Sequence, residues 1–170
     1  MLKSDDGILC ATTAFGKTVI AAWLIAARKV NTLVLVHRRQ LLDQWRERLA
    51  AFLNLPIKSI GQIGGGRRRT SEIIDVAVIQ SLNRRQVVDD MVANYGHVIV
   101  DACHHLSAVS FEQVLRQVKA CYIMGLTATP QRKDERIVLG ELHARLDLGR
   151  LVFTLNRTGR TQLGMIQHST

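Results

Sequence analysis

The sequence predicts an α/β domain in three layers, with a mainly parallel sheet between two layers of helices. Apolar runs that suit strands alternate with helical patterns through most of the 170 residues. Residues 32–36 (Thr-Leu-Val-Leu-Val) form a continuous run that is typical of a parallel strand covered on both faces. Residues 18–28 are apolar nearly all round, as in a helix packed on a sheet beside other helices. A chain of this length can bury a sizeable core as one domain.

The elements begin with a short apolar run at Ile8, which predicts a first strand ending in a loop of small residues. A second helix, to about residue 53, is predicted by apolar side chains at helical spacing: Leu41, Trp45, Leu49 and Phe52. Further patterns predict strands at residues 57–63, 73–79, 97–100, 122–126 and 151–155, and helices at 86–94, 108–119 and 134–146. Residues 156–170 are polar and are expected to form a tail or the start of a linker.

The charge balance favours a polyanionic partner. The chain has 23 Lys and Arg against 14 Asp and Glu, a net charge of +9, which suits nucleic acid. Its three cysteines are widely spaced and odd in number, which argues against a disulfide framework or a zinc site. No apolar run is as long as a membrane span and no signal peptide is evident, so we expect a cytoplasmic protein without a membrane partner.

A phosphate-binding loop is predicted between the first strand and the first helix. Backbone N–H groups of small residues and a helix N-terminus attract an anion there, and Lys17 would reach the β and γ phosphates of ATP. The Thr18 hydroxyl would bind Mg²⁺. Ala11 and Ala14 stand where many such loops have glycine, and the alternative is an ordinary strand-to-helix turn with an exposed lysine. The candidate nucleotide-binding residues are Thr13, Ala14, Phe15, Gly16, Lys17 and Thr18.

An acidic residue ends a later apolar strand. Asp101 follows Val98-Ile99-Val100, and a nucleoside triphosphate site needs such an acid to hold Mg²⁺ opposite Thr18. The alternative is an aspartate that caps a turn. In a parallel sheet, ligands bind beyond the carboxyl ends of the strands. Polar residues that follow other predicted strands would therefore share this edge: His37, Arg38, Gln80, Ser81, Thr127 and Thr129.

In their order along the chain, these segments resemble the first RecA-like domain of superfamily 2 DEAD/DEAH-like helicases and translocases, in the branch of type III restriction and XPB-like enzymes. The resemblance covers about residues 7–155 and implies a RecA-like P-loop fold. The segments of this chain resemble the family motifs as follows: residues 11–18 resemble motif I, residues 36–45 motif Ia, residues 78–82 motif Ic, residues 101–107 motif II and residues 125–130 motif III.

The resemblance implies ATP and Mg²⁺ as cofactors, bound by Lys17, Thr18 and Asp101. His104 matches the last position of the DExH box, which couples nucleotide state to the nucleic-acid site. Thr127 and Thr129 match the motif that links hydrolysis to nucleic-acid movement. The residues implied to touch the sugar-phosphate backbone are His37, Arg38, Gln80 and Ser81. The partner is single- or double-stranded nucleic acid, with DNA slightly favoured over RNA.

One departure from the family pattern concerns catalysis. Ala102 occupies the position of the glutamate that would activate the attacking water. Loss of a positioned general base typically lowers a rate by about 10²–10⁴-fold. We therefore expect the chain to bind ATP and to hydrolyse it barely.

A second departure concerns the extent of the chain. We expect residues 1–155 to form the ATP-binding domain and residues 156–170 to follow it as the tail. Only six residues precede Gly7, where the family places an adenine-reading glutamine upstream, and we do not expect a second RecA-like domain with arginine fingers within the 170 residues. The expectation is a fragment that is monomeric and does not unwind nucleic acid alone.

Two other functions are weighed against this one. A non-catalytic nucleotide or nucleic-acid-binding module would explain Ala102. A small P-loop kinase would need a lid and an acceptor site, and it would leave residues 127–130 unexplained.

Two smaller features complete the sequence-based expectations. The run 64–69 (Gly-Gly-Gly-Arg-Arg-Arg) is either a phosphate clamp or a hairpin tip with solvated charges. Trp23 and Trp45 are expected to pack in the core.

Overall fold

The computed structural model describes residues 6–11, 16–84, 87–101, 108–127, 151–155 and 161–165. The strands are β1 (Asp6–Ala11), β2 (Thr32–Val36), β3 (Gly61–Gly64), β4 (Arg67–Arg69), β5 (Ile74–Val78), β6 (Asn83–Arg84), β7 (Val87–Val88), β8 (His97–Asp101), β9 (Tyr122–Thr127), β10 (Leu151–Leu155) and β11 (Thr161–Met165). The helices are α1 (Gly16–Arg28), α2 (Arg39–Leu53), α3 (Ile79–Leu82) and α4 (Ala108–Gln117), with 3₁₀ turns at Ile57–Ser59 and Asp90–Asn94.

A nine-stranded sheet has the order β11-β10-β1-β9-β8-β2-β5-β3-β4. All pairings from β10 to β3 are parallel, and only the two outermost strands, β11 and β4, pair antiparallel. Strands β6 and β7 form a separate two-stranded ribbon. The predicted α/β class with a mainly parallel sheet is therefore confirmed.

Strand β2 shows why the domain has three layers. Its five residues are all buried, and successive side chains point to opposite faces of the sheet. Leu33 and Leu35 pack in a cluster with residues of α3, α4 and the Asp90–Asn94 turn. Val34 and Val36 pack in a second cluster with residues of α1 and α2. The continuous apolar run thus reflects helices on both faces of the sheet.

Two predicted elements differ in the structure. The strand expected at residues 57–63 begins only at Gly61, because the chain after Pro56 closes a 3₁₀ turn through Ser59 N–H to the Pro56 carbonyl at 2.8 Å. The helix expected at residues 86–94 is instead β7 followed by a 3₁₀ turn. There the Asp89 side chain accepts a hydrogen bond from the Met91 N–H at 3.1 Å, which caps a short turn.

The expectation of a polar tail is corrected at its centre. Residues Thr161–Met165 form β11, which pairs antiparallel with β10 along five registered positions. Pairing at an edge uses main-chain hydrogen bonds, so a strand can form there without a strong apolar pattern. The predicted β10 agrees in its bounds, whereas the helix expected at 134–146 lies outside the described residues.

The expected burial of the two tryptophans is half right. Trp45 is 4% exposed and belongs to the buried stripe of α2 with Leu42 and Leu49. Trp23, in α1, is 52% exposed. Phe52, at the end of the stripe predicted for α2, is 49% exposed. Periodicity alone does not fix which part of an apolar helix faces the sheet. Among the helices in the described ranges, none is long and apolar enough to cross a membrane.

A buried carboxylate fixes the start of β5. Asp75 is fully buried and accepts hydrogen bonds from the Ser71 N–H at 2.7 Å and the Glu72 N–H at 3.0 Å. The Tyr95 hydroxyl donates a third bond to Asp75 at 2.5 Å. Burial and this bond raise the pKa of Tyr95 above its usual range. Gly61, on the adjacent strand, lies so close to Asp75 that there is no room for a side chain.

A buried histidine lies at the opposite end of the sheet from the N-terminus of α1. His97 starts β8, is fully buried, and places Nδ1 3.4 Å from the Thr32 hydroxyl. The Tyr122 ring stands edge-on to it, with ring centroids 6.2 Å apart. Burial, and secondarily the positive charge of Arg28, lower the pKa of His97 to about 3. His97 is therefore neutral at physiological pH.

Candidate nucleotide and nucleic-acid site

The carboxyl ends of the parallel strands meet at one edge, which we call the carboxyl edge. Register places Cys10 of β1 beside Thr127 of β9, and Leu126 of β9 beside Asp101 of β8. Helix α1 starts beyond β1, the loop to α2 starts beyond β2, and α3 follows β5 directly. The fold therefore brings the ends of these strands to one side of the sheet, as expected for a ligand site in a parallel α/β sheet.

The N-terminus of α1 carries the described part of the predicted phosphate loop. Gly16 is the first residue of this 13-residue helix, so Lys17 and Thr18 lie in its first turn. N–H groups in a first turn have no intrahelical acceptor and attract anions. Thr18 is 5% exposed, Lys17 is half-buried, and a Cβ on Gly16 would meet no atom within 4 Å. The other predicted loop residues, Thr13, Ala14 and Phe15, lie outside the described residues.

Asp101 is the last residue of β8 and is half-buried. The indole Nε1–H of Trp45 donates a hydrogen bond to its Oδ2 at 2.6 Å. Trp45 lies in the middle of α2, so a helix that follows β2 supports the carboxylate at the end of β8. The sequence predicts that Trp45 is buried, but no sequence pattern indicates its bond to Asp101, which lies 56 residues away along the chain.

The donor set suits a hard divalent cation. Strands β1 and β8 are separated only by β9, so their axes lie about 10 Å apart, which leaves room for a nucleotide phosphate and its ion. The Thr18 hydroxyl and the Asp101 carboxylate supply oxygen, the ligand type that Mg²⁺ prefers. Within the described ranges, no group of three or more His, Cys, Asp or Glu side chains forms a metal cage. Mg²⁺ commonly binds through one or two carboxylates, waters and substrate phosphates, and these residues fit that mode.

The predicted nucleic-acid residues follow β2 and β5, which are paired in parallel. His37 is half-buried, and Arg38 is exposed at the N-cap position of α2, where φ is −136° and ψ is 149°. Gln80 is exposed and Ser81 is half-buried, both in α3. All four therefore lie near one side of the carboxyl edge.

The run 64–69 forms a hairpin beside these residues. Its three glycines have positive φ values of 126°, 63° and 80°; Gly64 ends β3, and Gly65 and Gly66 form the turn to β4. A Cβ on Gly64 would lie 3.0 Å from Ser81 Oγ, and one on Gly65 would lie 2.7 Å from Arg39 Nε. The turn thus contacts the predicted nucleic-acid region and adds Arg39, which the sequence analysis missed.

The three arginines of β4 have different environments. All are exposed, but Arg68 forms an ion pair with Asp89 at 2.5 Å, and Arg69 donates to the Ile60 carbonyl at 3.3 Å. The pairing of β3 with β4 shows the hairpin, whereas a role of these arginines as a phosphate clamp stays a prediction. Two of these three arginines contact other residues of the chain, so the expectation of three solvated charges holds only in part.

Several predicted residues are not placed. Ala102, His104 and Thr129 lie outside the described residues. Thr127 is the last residue of β9, at the carboxyl edge, and only its backbone position is described.

Comparisons with known proteins agree with this arrangement. The family model described as "Type III restriction enzyme, res subunit" matches residues 2–132. The DNA 3'-5' translocase XPB2 of Sulfurisphaera tokodaii is 31% identical over 133 residues, which are 78% of this chain and 29% of that protein. The putative ATP-dependent RNA helicase L396 of Acanthamoeba polyphaga mimivirus is 28% identical over 134 residues, 79% of this chain and 25% of that protein.

Among solved structures, the UvsW helicase from bacteriophage T4 superposes with a TM-score of 0.71 at 18% identity, over 88% of this chain and 54% of that one. This likeness supports the fold. The chain spans 29% and 25% of the lengths of the two relatives above. The family match covers well over half of the chain and includes α1, β8 and most of the carboxyl edge. The chain belongs to the family described as type III restriction enzyme, res subunit.

Proposed function

We propose that this chain is the ATP-binding domain of a nucleic-acid-dependent superfamily 2 helicase or translocase. The observation that carries the proposal is the placement of Thr18 and Asp101 at one edge of the sheet, two strands apart. A phosphate-binding helix N-terminus and an acid-ended strand in this relation suit a nucleoside triphosphate with Mg²⁺. Family membership supports the same assignment.

In the proposed site, Lys17 and the first N–H groups of α1 bind the phosphates, and the Thr18 hydroxyl and Asp101 hold Mg²⁺. The ion, when bound, neutralises negative charge on the phosphates. Ala102 has no group that could take a proton from water, so the chain binds ATP and hydrolyses it slowly. Unwinding needs a second RecA-like domain in cis that would supply arginine fingers.

Nucleic acid is the proposed second ligand. Arg38 and Gln80 offer exposed polar groups near the carboxyl edge, and Arg39 adds a guanidinium at the hairpin turn. Such groups suit phosphate oxygens, which supply most sequence-independent affinity. His104, Thr127 and Thr129 are proposed to couple the two ligands. DNA is favoured over RNA by the translocase relative, and the RNA helicase relative keeps RNA as the alternative. A monomeric state and a cytoplasmic location stay predictions.

Nucleotide binding is tested by titrating fluorescent mant-ATP with Mg²⁺ into the protein and into two matched variants. Lys17→Asn removes the ammonium at the phosphate loop, and Lys29→Asn makes the same change just beyond the other end of α1. Lys29 has φ of 54°, a conformation that asparagine tolerates. We expect Lys17→Asn to weaken binding at least about tenfold, because charge-assisted contacts to phosphate contribute about 1.5–3 kcal/mol. Equal affinity in both variants, or no binding by the parent chain, would refute the assignment.

The role of position 102 is tested by ATP hydrolysis in the presence of single-stranded DNA. The parent chain should hydrolyse near background, and Ala102→Glu should raise the rate. Fast hydrolysis by the parent chain, with no gain from glutamate, would contradict the proposed impairment.

The second candidate function is a non-catalytic binding module, which Ala102 favours. This function predicts that Ala102→Glu brings no hydrolysis even when a second RecA-like domain from an XPB-like relative is fused after the chain. A gain in that fusion supports the helicase assignment instead. Fluorescence anisotropy with single-stranded DNA and RNA, measured across salt concentrations, reports the nucleic-acid ligand. A steep loss of affinity with salt indicates phosphate contacts.

A further inference from the structure

We propose that Trp45 is a positioning residue that holds the Asp101 carboxylate for Mg²⁺ and links it to the nucleic-acid end of α2. This inference rests on the proposed function, because it assigns Asp101 to the ion and Arg38 to the nucleic acid. It concerns a side chain that lies outside the phosphate loop and outside the acid-ended strand.

The contact between the two side chains is specific. The indole Nε1–H can only donate, so Asp101 must be the acceptor in the 2.6 Å bond. Trp45 is 4% exposed, so the donor side of this partly buried bond lies in the core. The Trp45 indole thus gives the Asp101 carboxylate a hydrogen-bond partner in a different layer of the fold. This bond helps to set the orientation of the carboxylate.

A fixed carboxylate is what a weakly held ion requires. The bond engages Oδ2 and restricts rotation of the carboxylate that would hold the ion. Groups that orient a metal ligand commonly affect metal affinity by about 10–100-fold when they are removed. Trp45 occupies this role for Asp101.

The same bond connects Asp101 to a rigid helix. Trp45 lies on the buried face of α2 between Leu42 and Leu49, each fully buried. The guanidinium of the next residue, Arg46, donates to the carbonyls of Ile57 and Ile60 and to Gln62 Oε1, at 2.9–3.2 Å. A displacement of α2 must therefore be shared by the Trp45 indole, because packed cores do not deform continuously.

The N-terminus of α2 is the end that faces the proposed nucleic-acid ligand. Arg38 is at its N-cap, and Arg39 is its first residue. Nucleic acid that binds these groups shifts the preferred position of α2, and the indole transmits the shift to Asp101. Coupling of this kind is reciprocal, so Mg²⁺ with nucleotide should change the affinity for nucleic acid by the same factor.

The test uses two tryptophan-to-phenylalanine variants of the full chain. Trp45→Phe keeps an aromatic ring and removes the N–H donor, while Trp23→Phe makes the same change at a side chain that is 52% exposed. The affinity for mant-ATP is measured with EDTA and across Mg²⁺ concentrations, each with and without single-stranded DNA. Urea unfolding of each variant shows that the fold is retained.

We expect Trp45→Phe to raise the Mg²⁺ concentration needed for half-maximal enhancement of mant-ATP binding about tenfold. Its mant-ATP affinity in EDTA should stay unchanged, and the effect of DNA on the Mg²⁺-dependent affinity should fall to about onefold. Trp23→Phe should behave as the parent chain. In an Asp101→Asn background, Trp45→Phe should have no further effect on the Mg²⁺ dependence, because the two residues act through one bond.

The proposal is overturned if both phenylalanine variants keep the parental Mg²⁺ dependence, or if Trp45→Phe weakens binding equally in EDTA and in Mg²⁺. In each case, binding of mant-ATP by the parent chain would still support the proposed function. If the parent chain binds no mant-ATP with Mg²⁺, the proposed function fails and this inference fails with it.

Discussion

Gly61 offers a sharp test of how the sheet is held beside β5. A Cβ at this position would lie 1.6 Å from Asp75 Oδ1, 2.7 Å from Asp75 Cγ and 2.8 Å from the Arg69 carbonyl oxygen. Real side chains do not tolerate such distances, and the Arg69 oxygen belongs to the backbone of the paired strand β4. The substitution Gly61→Ala must therefore displace the Asp75 carboxylate or separate the strands.

The cost follows from the bonds that Asp75 makes. Its carboxylate accepts hydrogen bonds from Ser71 N–H, Glu72 N–H and the Tyr95 hydroxyl. A hydrogen bond to a charged group contributes about 1.5–3 kcal/mol, so losing two of the three lowers the free energy of unfolding by about 3–6 kcal/mol. A domain has about 5–15 kcal/mol in total, so Gly61→Ala removes a large share of it.

Urea unfolding followed by tryptophan fluorescence measures this loss. Gly66→Ala is the matched control, because a Cβ there meets nothing within 4 Å although φ is 80°. That control should lose only about 1–2 kcal/mol, the cost of a left-handed alanine. Equal losses in the two variants would refute the steric explanation, as would a loss below about 1 kcal/mol for Gly61→Ala.

Two further predictions concern stability. The pKa of His97 in the folded chain is about 3, below its value in the unfolded chain. Its neutral form therefore stabilises the fold fully above about pH 6.5, and this stabilisation is lost as the pH falls toward 3. Between pH 7 and pH 5 the free energy of unfolding of the parent chain, measured in urea, should fall by about 2 kcal/mol because of this residue. The His97→Gln variant should not show this fall, and an identical pH dependence in both proteins would contradict the assignment. Arg46→Met should lower the free energy of unfolding by about 1–3 kcal/mol, because it removes the guanidinium bonds to Ile57, Ile60 and Gln62. Arg46→Lys should restore little, since an ammonium cannot reproduce the planar fork, and full stability in urea for that variant would show the bonds to be dispensable.

The sequence carried enough information for the layers of the fold because buried parallel strands have a strong local pattern. Residues 32–36 predicted β2 within its observed bounds, and the acid-ended run predicted the end of β8. Local pattern was weaker where long-range contacts decide the outcome. Trp23 lies in a run that is apolar nearly all round, whereas polar residues flank Trp45 along the chain, yet only Trp45 is buried, because its helix face packs in the core.

The candidate site was predictable in its positions and less so in its supporting contacts. Lys17, Thr18 and Asp101 were found because the types and order of residues at strand ends are local features. The bond from Trp45 to Asp101 joins residues 56 positions apart, and no periodicity signals it. The approach of Arg39 to the hairpin turn likewise depends on how β3 is placed beside β5.

Strand β4 has a consequence for how molecules meet in solution. It is the outermost strand at one side of the sheet, and its three residues, Arg67–Arg69, are all exposed. A free strand edge invites another strand to add by main-chain bonding, and lysine or arginine on the edge opposes this addition. Two copies that approached edge to edge would bring their arginines together in a like-charge contact. Salt would screen that repulsion. Strand-to-strand self-association along β4 should therefore be weakest in dilute buffer, and an acidic segment would be the most compatible neighbour for this edge.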